Sequence, residues 1–178
     1  MAAKIVPSDY DGRIRRAERL ASLHPFAREI LTFYKRIAEF QKTLYLRVLD
    51  HDKRQSVTPL LTRDQLDTAG LIPQFREFLR LVAEHAPLPL ADSAREVSSE
   101  PSGPIASRLE RYWSGDRGDD FSNAAFEEFL PRAFLQPYAE HLAAGNTPGA
   151  VAGSPSLCPL CNSRPLLGIL RPEGDGGK

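Results

Sequence analysis

The sequence predicts a mainly α protein: a helical bundle over residues 1–144, a flexible linker over 145–156, and the start of a rubredoxin-like or zinc-ribbon metal-binding module over 157–178. Three observations predict it. Apolar residues in the first part recur at steps of three or four, with almost no two-residue alternation. Composition then shifts at Gly145 to Gly, Pro, Ala, Ser and Thr, which is linker chemistry. A single Cys158-Pro159-Leu160-Cys161 follows.

The helices can be justified in order. A short amphipathic segment runs from Ile14 to Leu23. The strongest signal starts at His24-Pro25, where proline suits a first helical turn, and continues to about Asp52. Along it Phe26, Ile30, Phe33, Ile37, Phe40, Leu44 and Val48 form a stripe too broad for a coiled-coil seam, so this helix is expected as the central spine. Arg28, Glu29, Lys35, Arg36, Lys42 and Arg47 fall largely on its wet side. A short helix is expected from Arg63 to Ala69, ended by Gly70, and a stronger one from Pro73 to Ala86, stopped by Pro87 and Pro89. Residues 98–104 read as a loop before a helix from Ile105 to Trp113, and Asp119 or Asp120 as the cap of the next. In the segment Phe121–Ala144, Pro131 and Pro137 predict a break near Leu130 and a kink further on.

Length and charge narrow the function classes. A chain of 178 residues with 42% hydrophobic residues can bury a core without staples. No stretch of the sequence reads as a membrane span or a signal peptide, which makes a cytoplasmic setting the expectation. Lys+Arg 23 balance Asp+Glu 23, so no overall field draws a polyanion, and nucleic acid is not an expected partner. The balance is uneven along the chain. Residues 1–54 carry 12 basic and 7 acidic groups (net +5), residues 55–144 carry 8 and 14 (net −6), and residues 145–178 carry 3 and 2 (net +1).

The cysteines carry the sharpest chemistry. A Cys-x-x-Cys turn aims two thiolates at one ion, whereas structural zinc or rubredoxin-type iron takes four sulfurs. Three readings stay open: a redox dithiol, two surface thiols, or half of a zinc-ribbon or rubredoxin-like knuckle. The half-knuckle is favoured, because Asn162 tolerates the positive φ such a turn needs and Leu166–Leu170 reads as the strand leaving it. On this reading the chain is truncated, and two copies could pool Cys158 and Cys161 into one four-sulfur site in a homodimer.

Phe129-Leu-Pro-Arg-Ala-Phe-Leu-Gln-Pro-Tyr-Ala-Glu140, then a linker, then Cys158-Pro-Leu-Cys-Asn-Ser-Arg-Pro165, behind a basic opening and the stretch Ala17 to Phe26, together resemble the formate dehydrogenase accessory protein FdhE family. The resemblance implies a cytoplasmic factor for biogenesis of molybdenum- or tungsten-containing formate dehydrogenases that binds the catalytic subunit. It also implies iron held by Cys-x-x-Cys pairs in rubredoxin-like modules, with Cys158 and Cys161 as the metal ligands that carry over. Asn162 stands where the family usually has glycine. Zinc is the alternative metal, and a helical adaptor or regulator with a zinc ribbon is the alternative function.

Other residues are read more plainly. His24, His51, His85 and His141 share no spacing of three or four, so helix-terminal or surface roles are expected of them rather than metal ligation. No nucleophile elbow, phosphate loop, dinucleotide fingerprint or zincin motif is present, and an enzyme is not expected. Tyr112, Trp113, Phe121, Phe126, Phe129, Phe134 and Tyr138 are expected mainly in the core. Arg132, Gln136, Tyr138 and Glu140 are the candidate partner-binding residues, because Pro131 and Pro137 free carbonyls one turn earlier for side chains or a partner to satisfy. A kinked core helix with solvated polar residues is the competing view.

Overall fold

The computed structural model describes residues 8–54, 66–114 and 124–145. Within them lie six α-helices and no strand: α1 (Tyr10–Leu23), α2 (Arg28–Arg54), α3 (Ile72–His85), α4 (Leu88–Ser99), α5 (Ser102–Ser114) and α6 (Ala124–Gly145). The mainly helical expectation therefore holds for the bundle. Cys158, Cys161, residues 146–156 of the expected linker and the Leu166–Leu170 strand lie outside the described residues, as do the Asp119/Asp120 cap and Phe121, while Gly145 ends α6.

Helix α1 starts four residues before the predicted Ile14, because Asp9 caps it. The Asp9 carboxylate accepts the Gly12 N–H at 2.8 Å. A Cβ at position 12 would collide with that carboxylate, so glycine leaves the cap its room. At the other end, His24 leaves helical geometry and Pro25–Ala27 form one 3-10 turn before α2 begins. Pro25 thus opens a corner rather than α2 itself.

The α1–α2 hairpin is antiparallel, with its register marked at three places. Tyr10 and Tyr45 rings lie 5.6 Å apart, Lys42 pairs with Asp11 at 2.7 Å, and Lys35 pairs with Glu18 at 2.7 Å. Both charge pairs repeat after seven residues on each helix, so they lie along one seam. They are solvent-accessible and worth little individually, but they oppose a slipped register.

Among the described residues the predicted helix before Gly70 gives way to a turn. Leu66 to Gly70 are non-helical, and Asp67 accepts the Gly70 N–H at 3.0 Å, a local bond that competes with the helical ladder. Arg63 lies outside the described residues. Pro73 then sits in the first turn of α3, as its missing N–H allows.

Helix α4 was not foreseen, because Pro87 and Pro89 read only as stops. They stop α3 and also start its neighbour: Ala86 is extended before Pro87, and Pro89 occupies the first turn of α4. Leu90, Ala91, Ala94 and Val97 form its buried face, whose two alanines admit close approach to α3. Arg76 of α3 clasps the far end, donating to the carbonyls of Ser98 at 2.5 Å and Glu100 at 2.8 Å. Arg95 closes the near end by donating to the Ala83 carbonyl at 2.9 Å. Helix α5 begins at Ser102, earlier than predicted, and turns Ile105, Leu109 and Trp113 inward at steps of four.

Helix α6 is continuous through Pro131 and Pro137, contrary to the predicted break near Leu130. It touches α2, α3, α4 and α5, whereas α2 reaches α1, α3 and α6. The central position expected of α2 is thus shared with α6. The physical sign is its all-round apolar surface: Leu130, Ala133, Phe134, Leu135, Tyr138 and Leu142 are all buried.

Aromatic rings join the layers. Phe134 of α6 lies 5.0 Å from Phe75 and 6.0 Å from Phe78, and Phe78 lies 5.5 Å from Phe40 of α2. Trp113, Phe134 and Tyr138 are buried as expected, with Tyr112 and Phe129 partly so. No helix among the described residues is long and apolar enough to cross a membrane.

Phe78 contacts rings from both long helices and has no exposure. Phe78→Ala is expected to lower unfolding stability by about 3–5 kcal/mol, read from the midpoint shift in a urea titration at constant slope.

Candidate functional site

The segment Phe129–Glu140 singled out in the sequence forms the middle of α6 and faces α2, which runs parallel to it. Phe33 meets Phe129, Gln41 meets Ala133 and Gln136, and Tyr45 meets His141, in the same order along both helices. Pro137 cannot donate to the carbonyl four residues back, which belongs to Ala133. Gln41 supplies the missing donor. Buried to 3% exposure on the apolar stripe of α2, it donates through Nε2 to the Ala133 oxygen at 2.6 Å and to Gln136 Oε1 at 3.2 Å.

The bond chain continues to a half-buried carboxylate. Gln136 Nε2 donates to Glu140 Oε1 at 2.7 Å, one helical turn on. Arg13 of α1 donates to the same oxygen at 2.8 Å, and Ser8 Oγ donates to Oε2. The Arg13 guanidinium also lies over the Tyr10 ring, 4.8 Å from its centre. Helices α1 and α6 and the residue before the α1 cap therefore meet at Glu140, and Gln136 links it to α2 through Gln41.

Electrostatics follow from this arrangement. Burial pushes the Glu140 pKa up, but hydrogen bonds from Ser8, Gln136 and Arg13 outweigh it and hold the carboxyl below its ordinary value of 4.5. Burial would lower Arg13, yet the bond to Glu140 and the charge of that carboxylate keep it above the usual arginine value. Tyr10 is driven strongly upward, first by burial and then by the Glu140 charge. Tyr138 is pushed up to about 12 by burial, against a smaller opposing pull from Arg47.

The four candidate partner residues separate in space. Gln136 and Glu140 belong to the polar network, Tyr138 is buried with its ring 6.1 Å from Phe134, and Arg132 points to solvent. Ser8, Tyr10, Arg13 and Gln41 were missed by the sequence reading. Gln41 left a signal, since it stands on the row Ile37, Gln41, Leu44, Val48 where every neighbour is apolar and buried. The histidines divide as well: His24 and His85 are exposed, while His141 is buried near the end of α6 with its ring 6.3 Å from that of Tyr45. Among the described residues no group of three or more His, Cys, Asp or Glu side chains could hold a metal ion.

A second feature lies at the opposite end of the hairpin. Leu23, Phe26, Ile30 and Tyr34 are exposed there, beside a surface groove of about 490 Å³ lined by Arg28, Thr32, Phe33, Arg36 and His85. No family model, curated protein or solved structure matches the chain.

Two outcomes test the network. Gln41→Leu leaves the Ala133 carbonyl buried without its donor, so a loss of about 1–3 kcal/mol is expected. In a Pro137→Ala background the backbone N–H returns, and a double-mutant cycle should show a markedly smaller loss.

For Glu140, the lowered folded pKa means that its stabilisation is complete above the ordinary carboxyl value of 4.5. It is lost as pH falls through the folded pKa, because the unfolded chain takes up the proton first. Glu140→Gln should therefore be less stable than wild type at neutral pH, with the two unfolding curves converging in acid. Parallel urea titrations across that range would measure it.

Proposed function

We propose that the chain is an accessory factor for biogenesis or activation of formate dehydrogenase, acting in the cytoplasm and binding the catalytic subunit. The observation that carries this reading is the order Phe129–Glu140, linker, Cys158-x-x-Cys161, which resembles the FdhE family. The reading assigns the protein no catalytic residue of its own. Its helical part docks the client, and Cys158 and Cys161 supply two of the four thiolates of an iron site, with zinc as the alternative metal.

Arg132 is exposed, so on this reading it is the member of the set most open to a client. Gln136 and Glu140 hold α6 against α1 and α2, and Tyr138 fills the core, so these three act as positioning residues for that face.

Affinity capture from a native extract containing formate dehydrogenase tests the proposal. The 178-residue chain and its Cys158→Ser/Cys161→Ser variant should both recover the catalytic subunit, and Arg132→Glu should recover less. No recovery by any of the three would overturn the client assignment. Metal analysis of the isolated chain should give half an equivalent per chain if two copies pool their thiolates, and none in the cysteine variant. Iron would add a visible thiolate charge-transfer band, whereas zinc would be colourless.

A further inference from the structure

The stripe of α2 that buries Phe33, Ile37, Leu44 and Val48 continues one turn earlier as Ile30, and the 3-10 turn ahead of α2 carries Phe26; both are uncovered. Ile30 is 52% exposed and Phe26 is 90% exposed. Across the corner, Leu23 at the end of α1 is 59% exposed. Three large apolar side chains are thus exposed at the corner where α1 turns into α2, and exposed apolar side chains grouped in this way mark an interaction surface.

We infer that this corner docks an acidic, amphipathic segment of a partner protein. Charge identifies the occupant. Residues 13–36 hold seven basic and two acidic side chains, a net of +5. Some of that charge is used internally: Arg13 pairs with Glu140, Lys35 with Glu18, and Arg36 with Glu39. Arg16, Arg19 and Arg28 are exposed and make no ion pair among the described residues. Arg16, Arg19 and Leu23 follow at steps of three and four, so the two guanidiniums share a helix face with the leucine. Arg28 opens α2 from the other side of the corner and lines the groove.

An apolar anchor ringed by arginines suits a chain that presents carboxylates around a leucine or aromatic side chain. The groove beside the ridge argues for polypeptide rather than a bilayer. It is concave, backed by Phe33, and has Glu29 in its wall beside Arg28 and Arg36. A carboxylate there repels an anionic lipid surface but accepts the N–H or hydroxyl of a peptide. The chemistry of this surface stands apart from the accessory-factor reading; only the identity of the protein carrying the segment rests on it.

Displayed random peptides selected on the 178-residue chain, with Phe26→Asp as the counter-selecting surface, test the inference. Enriched peptides should carry Asp or Glu around Leu, Phe or Trp anchors at helical spacing. A synthetic copy of the leading peptide should bind about tenfold more weakly to Phe26→Asp and to Arg16→Glu/Arg19→Glu, and should weaken with added salt. All three altered side chains are exposed, and an unchanged urea midpoint would show that the variants fold.

A neutral or basic consensus, no enrichment, or equal affinity for Phe26→Asp would overturn the inference. So would sedimentation with phosphatidylserine vesicles that depends on Phe26. Peptide binding without formate dehydrogenase capture would keep the surface and remove the client. Capture without peptide binding would do the reverse.

Discussion

Backbone hydrogen-bond accounting on α6 governs this bundle. The helix lies among four others, where a carbonyl without a donor costs about 1–3 kcal/mol. Two of its residues, Pro131 and Pro137, cannot donate. Gln41 meets the need at Ala133 from a neighbouring helix, and that fixes the axial position of α2 against α6. Once these two helices are in register, Phe33 finds Phe129, Tyr45 finds His141, and Phe40 helps to close the ring cluster around Phe78 and Phe134. A donor supplied by a side chain thus locates helices that apolar contact alone would let slide.

The same chain of bonds reaches α1. From Gln41 through Gln136 to Glu140, each group uses its remaining donor or acceptor on the next, and the terminal carboxylate accepts from Arg13 and Ser8. Tyr10 contributes its ring to Arg13 and to Tyr45. A helix of 14 residues is marginal on its own. Here it is held by the burial of Tyr10 and Ala17 and by the shared carboxylate, with the ion-pair seam setting its register.

Much of the helical order was legible in the sequence because period and punctuation agree there. The stripe from Phe33 to Val48 and the row Phe75, Phe78, Leu79, Val82 are buried as their spacing predicts. Helix α4 was not legible, since a proline reads alike as the end of one helix and the beginning of the next. The unbroken course of α6 was hidden for a different reason: the donor that compensates Pro137 lies 92 positions away from Ala133, at Gln41. The partner residues divide for the same cause. Arg132 is visibly surface chemistry, whereas Gln136 and Glu140 look identical to surface residues until α1 is placed against them. The cysteine module was read from Cys158-x-x-Cys161, Asn162 and the apolar run after them, all outside the described residues.

The contact between Ser8 and Glu140 has a topological consequence. It brings the beginning of the helical unit within about 8 Å of helix rise from its last residue, Gly145. Entry and exit therefore share one pole of the bundle, while Leu23, Phe26 and Ile30 occupy the other, roughly 22 Å away along α2. Such a layout suits circular permutation, with a short bridge joining the old ends and new termini opened elsewhere. It also gives the bundle a polarity: whatever the chain carries before Ser8 or after Gly145 is attached at one pole, and the apolar tip is presented at the other.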